Sequence, residues 1–112
     1  MQVYNTNNIF AKILRKEIPA TVVYEDDSVL AFRDINPKAK THVLVIPKGE
    51  YINFTDFTAK ASSQEVSNFF QKANEIATEV LLLSHFQLHV NNGEASGQEV
   101  LHFHVHVLSS QK

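Results

Sequence analysis

The chain has no cysteine and no tryptophan. Without thiols, a disulfide framework, cysteine nucleophiles and thiolate metal sites are all excluded. Glycine and proline number three each, too few for a collagenous or low-complexity chain. A basic excess is missing too: ten Lys and Arg face twelve Asp and Glu, for a net charge of -2. With a pI near 6.3, nothing suggests nucleic acid or an anionic membrane as partner. No apolar run approaches the roughly twenty residues of a membrane span, and Met1 to Asn8 lacks the basic-then-apolar pattern of a leader. The expectation is a cytoplasmic protein. At 112 residues, 44% hydrophobic and 20% charged, residues 1–112 read as one globular domain.

What the chain does have is histidine, concentrated in Val100-Leu101-His102-Phe103-His104-Val105-His106-Val107-Leu108. The β-branched valines favour a strand there. Strand side chains alternate between faces, so His102, His104 and His106 project to one side and Phe103, Val105 and Val107 to the other. At about 3.3 Å per residue, alternate imidazoles stand roughly 6.6 Å apart, close enough to act on one small ligand. Imidazoles so placed can serve as nucleophile and proton carriers, or as zinc ligands that recruit a further donor.

The rest of the chain surrounds that strand with a recognisable pattern. Asn7 or Asn8 caps a short helix with Ile9, Phe10, Ile13 and Leu14 on its apolar stripe, ended by Ile18-Pro19. Thr21 to Glu25 and Ser28 to Arg33 read as a hairpin around a solvated turn, Glu25-Asp26-Asp27. Thr41 to Ile46 is a further strand, closed by Pro47. Ser62 and Glu65 form a capping box for one long helix carrying Val66, Phe69, Phe70, Ala73, Ile76, Ala77, Val80 and Leu81. Phe86 to Asn91 alternates as a penultimate strand, on whose polar face His89 reads as a surface residue, as does His85 just past the helix. Short connections within the strand pairs favour an α+β fold with an antiparallel sheet, the long helix on one face and the other left for ligand. The polar loop Asn91 to Glu99 is suited to bring backbone N–H groups close to a phosphate.

The run Gly97-Gln98-Glu99-Val100-Leu101-His102-Phe103-His104-Val105-His106-Val107 resembles the signature of the histidine triad (HIT) superfamily. Ile9-Phe10-Ala11-Lys12-Ile13, Lys16-Glu17-Ile18-Pro19-Ala20, Tyr24-Glu25-Asp26-Asp27, Ala31-Phe32-Arg33-Asp34-Ile35 and Thr41-His42-Val43-Leu44-Val45-Ile46-Pro47-Lys48 are similar to its Hint branch, the purine nucleoside phosphoramidases. The resemblance implies a five-stranded antiparallel sheet with one short N-terminal and one long central helix, assembled as a homodimer whose two sheets join.

It also implies roles. His104 would attack the α-phosphorus of a purine nucleotide and form a nucleotidyl-imidazole. His102 would orient that nucleophile, with His106 and His42 completing the site and His106 contacting phosphate. Asp34 would hold the ribose hydroxyls, and Ile9, Phe10, Ile13, Phe32 and Ile35 the purine. Asn91, Gly97, Gln98 and Glu99 would stand near the phosphate. Imidazoles and backbone amides can serve phosphoryl oxygens unaided, so no cofactor and no metal is expected. Glu99 and a chain ending four residues past Leu108 bear on which leaving group is accepted. The readings beside phosphoramidate hydrolysis are a dinucleoside polyphosphate hydrolase or nucleotidyl transferase, and a purine-nucleotide-binding protein without turnover.

Overall fold

Alternation of β-branched and aromatic residues gives strands with two distinct faces, and both are used. In the computed structural model, which describes residues 2–112, five antiparallel strands form one sheet ordered β1-β2-β3-β5-β4. These are β1 (Val22–Glu25), β2 (Val29–Arg33), β3 (Thr41–Pro47), β4 (Gln87–His89) and β5 (Val105–Ser109). Central β3 is buried along its whole length. One face carries Val29, Ala31, Val43, Val45, Val105 and Val107, packed on Phe57, Phe69, Ala73 and Ile76. The opposite face carries Leu30, Phe32, Leu44 and Ile46, half covered by Phe10 and Ile13. Period two places His42 beside Leu44 on β3 and His106 opposite Leu44 on β5, on the face the large helix leaves free. The fold is α+β, as the sequence pattern implied.

The helices differ from expectation in instructive ways. Helix α1 (Ile9–Leu14) is capped by Asn8, whose side chain accepts from Ala11 N–H. It ends before Ile18-Pro19 because Lys16 turns into the left-handed region at φ 65°. There Lys16 N–H donates to Ile13 O at 3.0 Å and Glu17 N–H to Lys12 O at 2.9 Å, satisfying the last carbonyls. The long central helix is α3 (Ser63–Glu75), with Ser62 Oγ accepting from Glu65 N–H as the capping box requires. Its last turn widens into a π-helical turn, Ile76–Val80. A separate helix, α2 (Phe54–Lys60), precedes it, capped by Asn53. Only Phe57 of its seven residues is buried, so no apolar period announces it.

Two further expectations are corrected. The penultimate strand spans only Gln87–His89. The turn Glu25-Asp26-Asp27 is an organised one. Burial raises the Asp26 pKa, but the N–H groups of Ser28 and Val29, with the Tyr24 and Ser28 hydroxyls, outweigh that and lower it to about 2. Among the described residues no helix is long and apolar enough to cross a membrane.

Candidate active site

A cavity of about 810 Å³ opens on the sheet face that α1 only half covers. Ile9, Phe10, Ile13 and Phe32 line its apolar end, together with Ile35, which is 90% exposed at the mouth. Asp34, His42, His104 and His106 supply the polar wall, and Asn91, Gly97 and Glu99 the far side. The structure therefore brings together all the expected site residues but two, Gln98 and His102. His89 and Lys38 line the cavity as well, although neither was anticipated there. His89 reaches it through β4–β5 pairing opposite His106.

The histidine strand is shorter than the alternation implied. Pairing of β5 with β3 stops at Val105, because Phe103 N–H donates instead to Tyr51 O at 2.7 Å. Upstream, His102 is 0% exposed and lies behind the cavity wall. Its Nε2 meets Pro47 O at 2.8 Å, and its Nδ1 meets Tyr4 Oη at 2.6 Å. The Tyr4 contact spans 98 positions, and no local signal reveals it.

Acceptors that cannot donate fix the tautomers. His104 Nδ1 lies 2.7 Å from the His102 carbonyl, so Nδ1 carries the hydrogen and Nε2 the lone pair. Among the described residues no buried side-chain nitrogen lacks a partner; the unpaired Nε2 therefore opens to the cavity as a base and nucleophile. Lys38 N–H donates to His42 Nδ1 at 3.1 Å. His42 Nε2–H then donates to His106 Nδ1 at 2.8 Å, which leaves His106 Nε2–H free to donate to a ligand. Asp34 Oδ2 stands 3.3 Å from His42 Nε2, and Asn36 N–H holds its Oδ1 at 2.8 Å. Burial pushes His42 down further than Asp34 raises it, so Asp34 stands beside a neutral ring whose Nε2–H goes to His106.

The site is thus a row of neutral imidazoles. Burial lowers His104, opposed by the His102 carbonyl, Asp34 and Glu99. Burial, then repulsion from His104, His42 and His89, pushes His106 down to about 4. Burial likewise takes His102 from 6.5 to about 4, against its bond to Pro47. Below about pH 6.5 the unfolded chain takes up protons that these folded rings refuse until about pH 4. Unfolding free energy should therefore fall as pH drops through that window, by on the order of 3 kcal/mol for His102 alone. Urea titrations across the window check this; a flat profile would show that the buried rings take up protons as readily in the folded chain as in the unfolded one.

The loop beyond β4 is held by its own side chains. Asn91 Nδ2 donates to Ser96 O at 2.8 Å. Gly93 adopts φ 94° and ψ 152°, a combination essentially restricted to glycine. Gln98, expected near phosphate, is instead buried under the loop. Its Nε2 donates to Ile52 O and Val100 O, and its Oε1 accepts from Gly93 N–H at 2.8 Å.

Known proteins match this chain in sequence and in fold. The HIT domain family matches residues 15–112. An uncharacterized HIT-like protein of Rickettsia prowazekii is 49% identical over 110 residues, covering 97% of this chain and 92% of the relative. A HIT family hydrolase from Clostridium thermocellum superposes with a TM-score of 0.84 at 37% identity, over 94% of this chain and 91% of its own. A histidine triad protein from Clostridium difficile gives a TM-score of 0.82 at 41% identity, over 98% and 96% respectively.

Proposed function

The chain belongs to the HIT family, and on that premise we propose that it works as a Hint-branch hydrolase of purine nucleoside 5′-phosphoramidates. The observation that carries this reading is His104: Nδ1–H held by a carbonyl at 2.7 Å, Nε2 unpaired and facing a cavity with an apolar end. In the reaction, His104 Nε2 attacks the α-phosphorus, a P–N(imidazole) bond forms, and the bond to the substrate nitrogen breaks as that nitrogen takes a proton from the solvent and leaves as amine. Water then adds to phosphorus and expels the imidazole, releasing AMP and the water's proton. Two easier displacements replace one hard one.

Each neighbour has a task in this scheme. The nucleotidyl-imidazole is a cation, and the His102 carbonyl accepting from its Nδ1–H stabilises it. His106 Nε2–H donates to a phosphoryl oxygen, with the loop from Asn91 to Glu99 on the other side. Asp34 accepts from the ribose diol, and Phe10, Ile13 and Phe32 enclose the purine. No cofactor is required. The same reading includes a homodimer, supported by an open β4 edge, with Leu88 and the adjoining Val90 exposed; sedimentation of the active protein as a 12.7 kDa species would remove the dimer from it.

One observation favours a second reading. Asp34, His42 and His106 each offer a ligand atom, all within 4.8 Å of one another, a set that suits zinc. The test is AMP release from adenosine 5′-phosphoramidate, with and without a chelator and in competition with a dinucleoside polyphosphate. Turnover unaffected by chelation and preferring the P–N substrate is expected. Activity lost to chelation would favour the metal site, a preference for the anhydride the other hydrolase reading, and binding of AMP without turnover a nucleotide-binding protein.

A further inference from the structure

The HIT match begins at residue 15, yet the nearest support of the triad's first histidine comes from before it. The N-terminal strap is fastened to α1. Asn8 N–H and Nδ2 donate to Asn5 O at 3.2 and 2.8 Å, and Arg15 donates to Thr6 O at 2.8 Å. This brings Tyr4 edge-on to the His102 ring, with centroids 5.6 Å apart.

We propose that Tyr4 is a positioning residue for the nucleophile: its hydroxyl, bonded to His102 Nδ1, fixes the buried ring whose backbone carbonyl holds His104 Nδ1–H. The proposal rests on the reading of His104 as nucleophile. Pro47 O only accepts, so His102 Nε2 carries the hydrogen, Nδ1 carries the lone pair, and the Tyr4 hydroxyl donates at 2.6 Å. The ring is 0% exposed, and a buried lone pair without a donor is costly. The two bonds form one connected line, Tyr4 to His102 ring, His102 carbonyl to His104 Nδ1, at 2.6 and 2.7 Å. Phe10 touches both rings edge-on, 6.4 Å from His102 and 4.9 Å from His104, so a tilt of one ring is transmitted to the other.

Tyr4 does not line the cavity and has no contact with substrate. Its influence falls where His104 becomes cationic and leans most on the His102 carbonyl, which is after binding. It should therefore act on kcat and leave KM alone.

The variant that tests this is Tyr4→Phe, which keeps the ring and deletes the hydroxyl. With adenosine 5′-phosphoramidate, kcat should fall about 3–10-fold, the worth of one hydrogen bond, with KM and AMP affinity unchanged. Imidazole 15N–1H spectra of the ligand-free protein should show His102 Nδ1 moving toward an unbonded lone pair, and the His104 Nδ1–H signal moving with it. Tyr24→Phe loses a hydroxyl that bonds Asp26 at 2.8 Å, on the far face of the sheet, and should change none of these. An unchanged kcat in Tyr4→Phe, or a change in KM alone, would overturn the proposal, as would an unmoved His104 signal. If the unmutated protein releases no AMP, the proposed reaction fails on its own account. The spectra then still judge the link from Tyr4 to His104.

Discussion

Replacing His104 with alanine should reduce AMP release from adenosine 5′-phosphoramidate by at least about 10⁴-fold in kcat, while AMP itself still binds. The expectation follows from what the cavity offers in its place. His42 and His106 spend a nitrogen on each other at 2.8 Å, and the tautomers set by Lys38 N–H turn a hydrogen, not a lone pair, of His106 toward the ligand. His102 has both nitrogens engaged and is shut off from the cavity. No other imidazole of the triad can attack phosphorus without undoing a bond that fixes its neighbour. The purine and ribose contacts assigned to Ile13, Phe32 and Asp34 come from side chains other than His104, so binding survives. Rapid alkaline quench of the unmutated protein, which spares a P–N(imidazole) bond, should trap nucleotide on the chain, and the variant should trap none. Retention of activity within about tenfold would sink covalent catalysis by His104 and leave direct attack by water.

The two faces of the sheet explain how much of this was legible in the sequence. Period two assigns Val43, Val45, Val105 and Val107 to the core and His42, His104 and His106 to the other side, and the structure keeps that division. Long-range backbone pairing carries no such signature. His102 shares the alternation of its triad but not its exposure, because the Phe103 N–H bonds Tyr51 O and ends the ladder one turn of alternation early. Gln98 reads as a phosphate contact from its place beside Gly97, yet its amide reaches Ile52 O, 46 positions away. Tyr4 and α2 escape notice for the same reason. Each is held by a distant partner and repeats nothing that a period could detect.

Helix α2 also bears the largest stability prediction. Phe57→Ala should lower the unfolding free energy by about 3–5 kcal/mol, the cost of deleting a buried phenyl and leaving its cavity. Phe57 is wholly buried at the centre of an aromatic cluster. Its ring stacks on Phe103 at 4.7 Å and 17° and meets Phe69 at 5.3 Å and Tyr51 at 5.0 Å. Three rings on three different segments cannot collapse together into the space, so little of the cost is recovered by relaxation. For a chain of 112 residues that corresponds to a fall of roughly 13–21 °C in Tm. Phe57→Leu, which refills much of the volume, should lose a minor part of it. A urea titration with unchanged m-value and a shifted midpoint would verify the loss; a loss below about 1 kcal/mol would mean that α2 is dispensable to the core. The same cluster sets the position of the triad from behind, since Phe103 sits between His102 and His104 and faces the opposite way. Burying that one ring among Phe54, Phe57 and Phe69 anchors the backbone from which His104 is presented, so the core face and the chemical face of the sheet are held by the same residue.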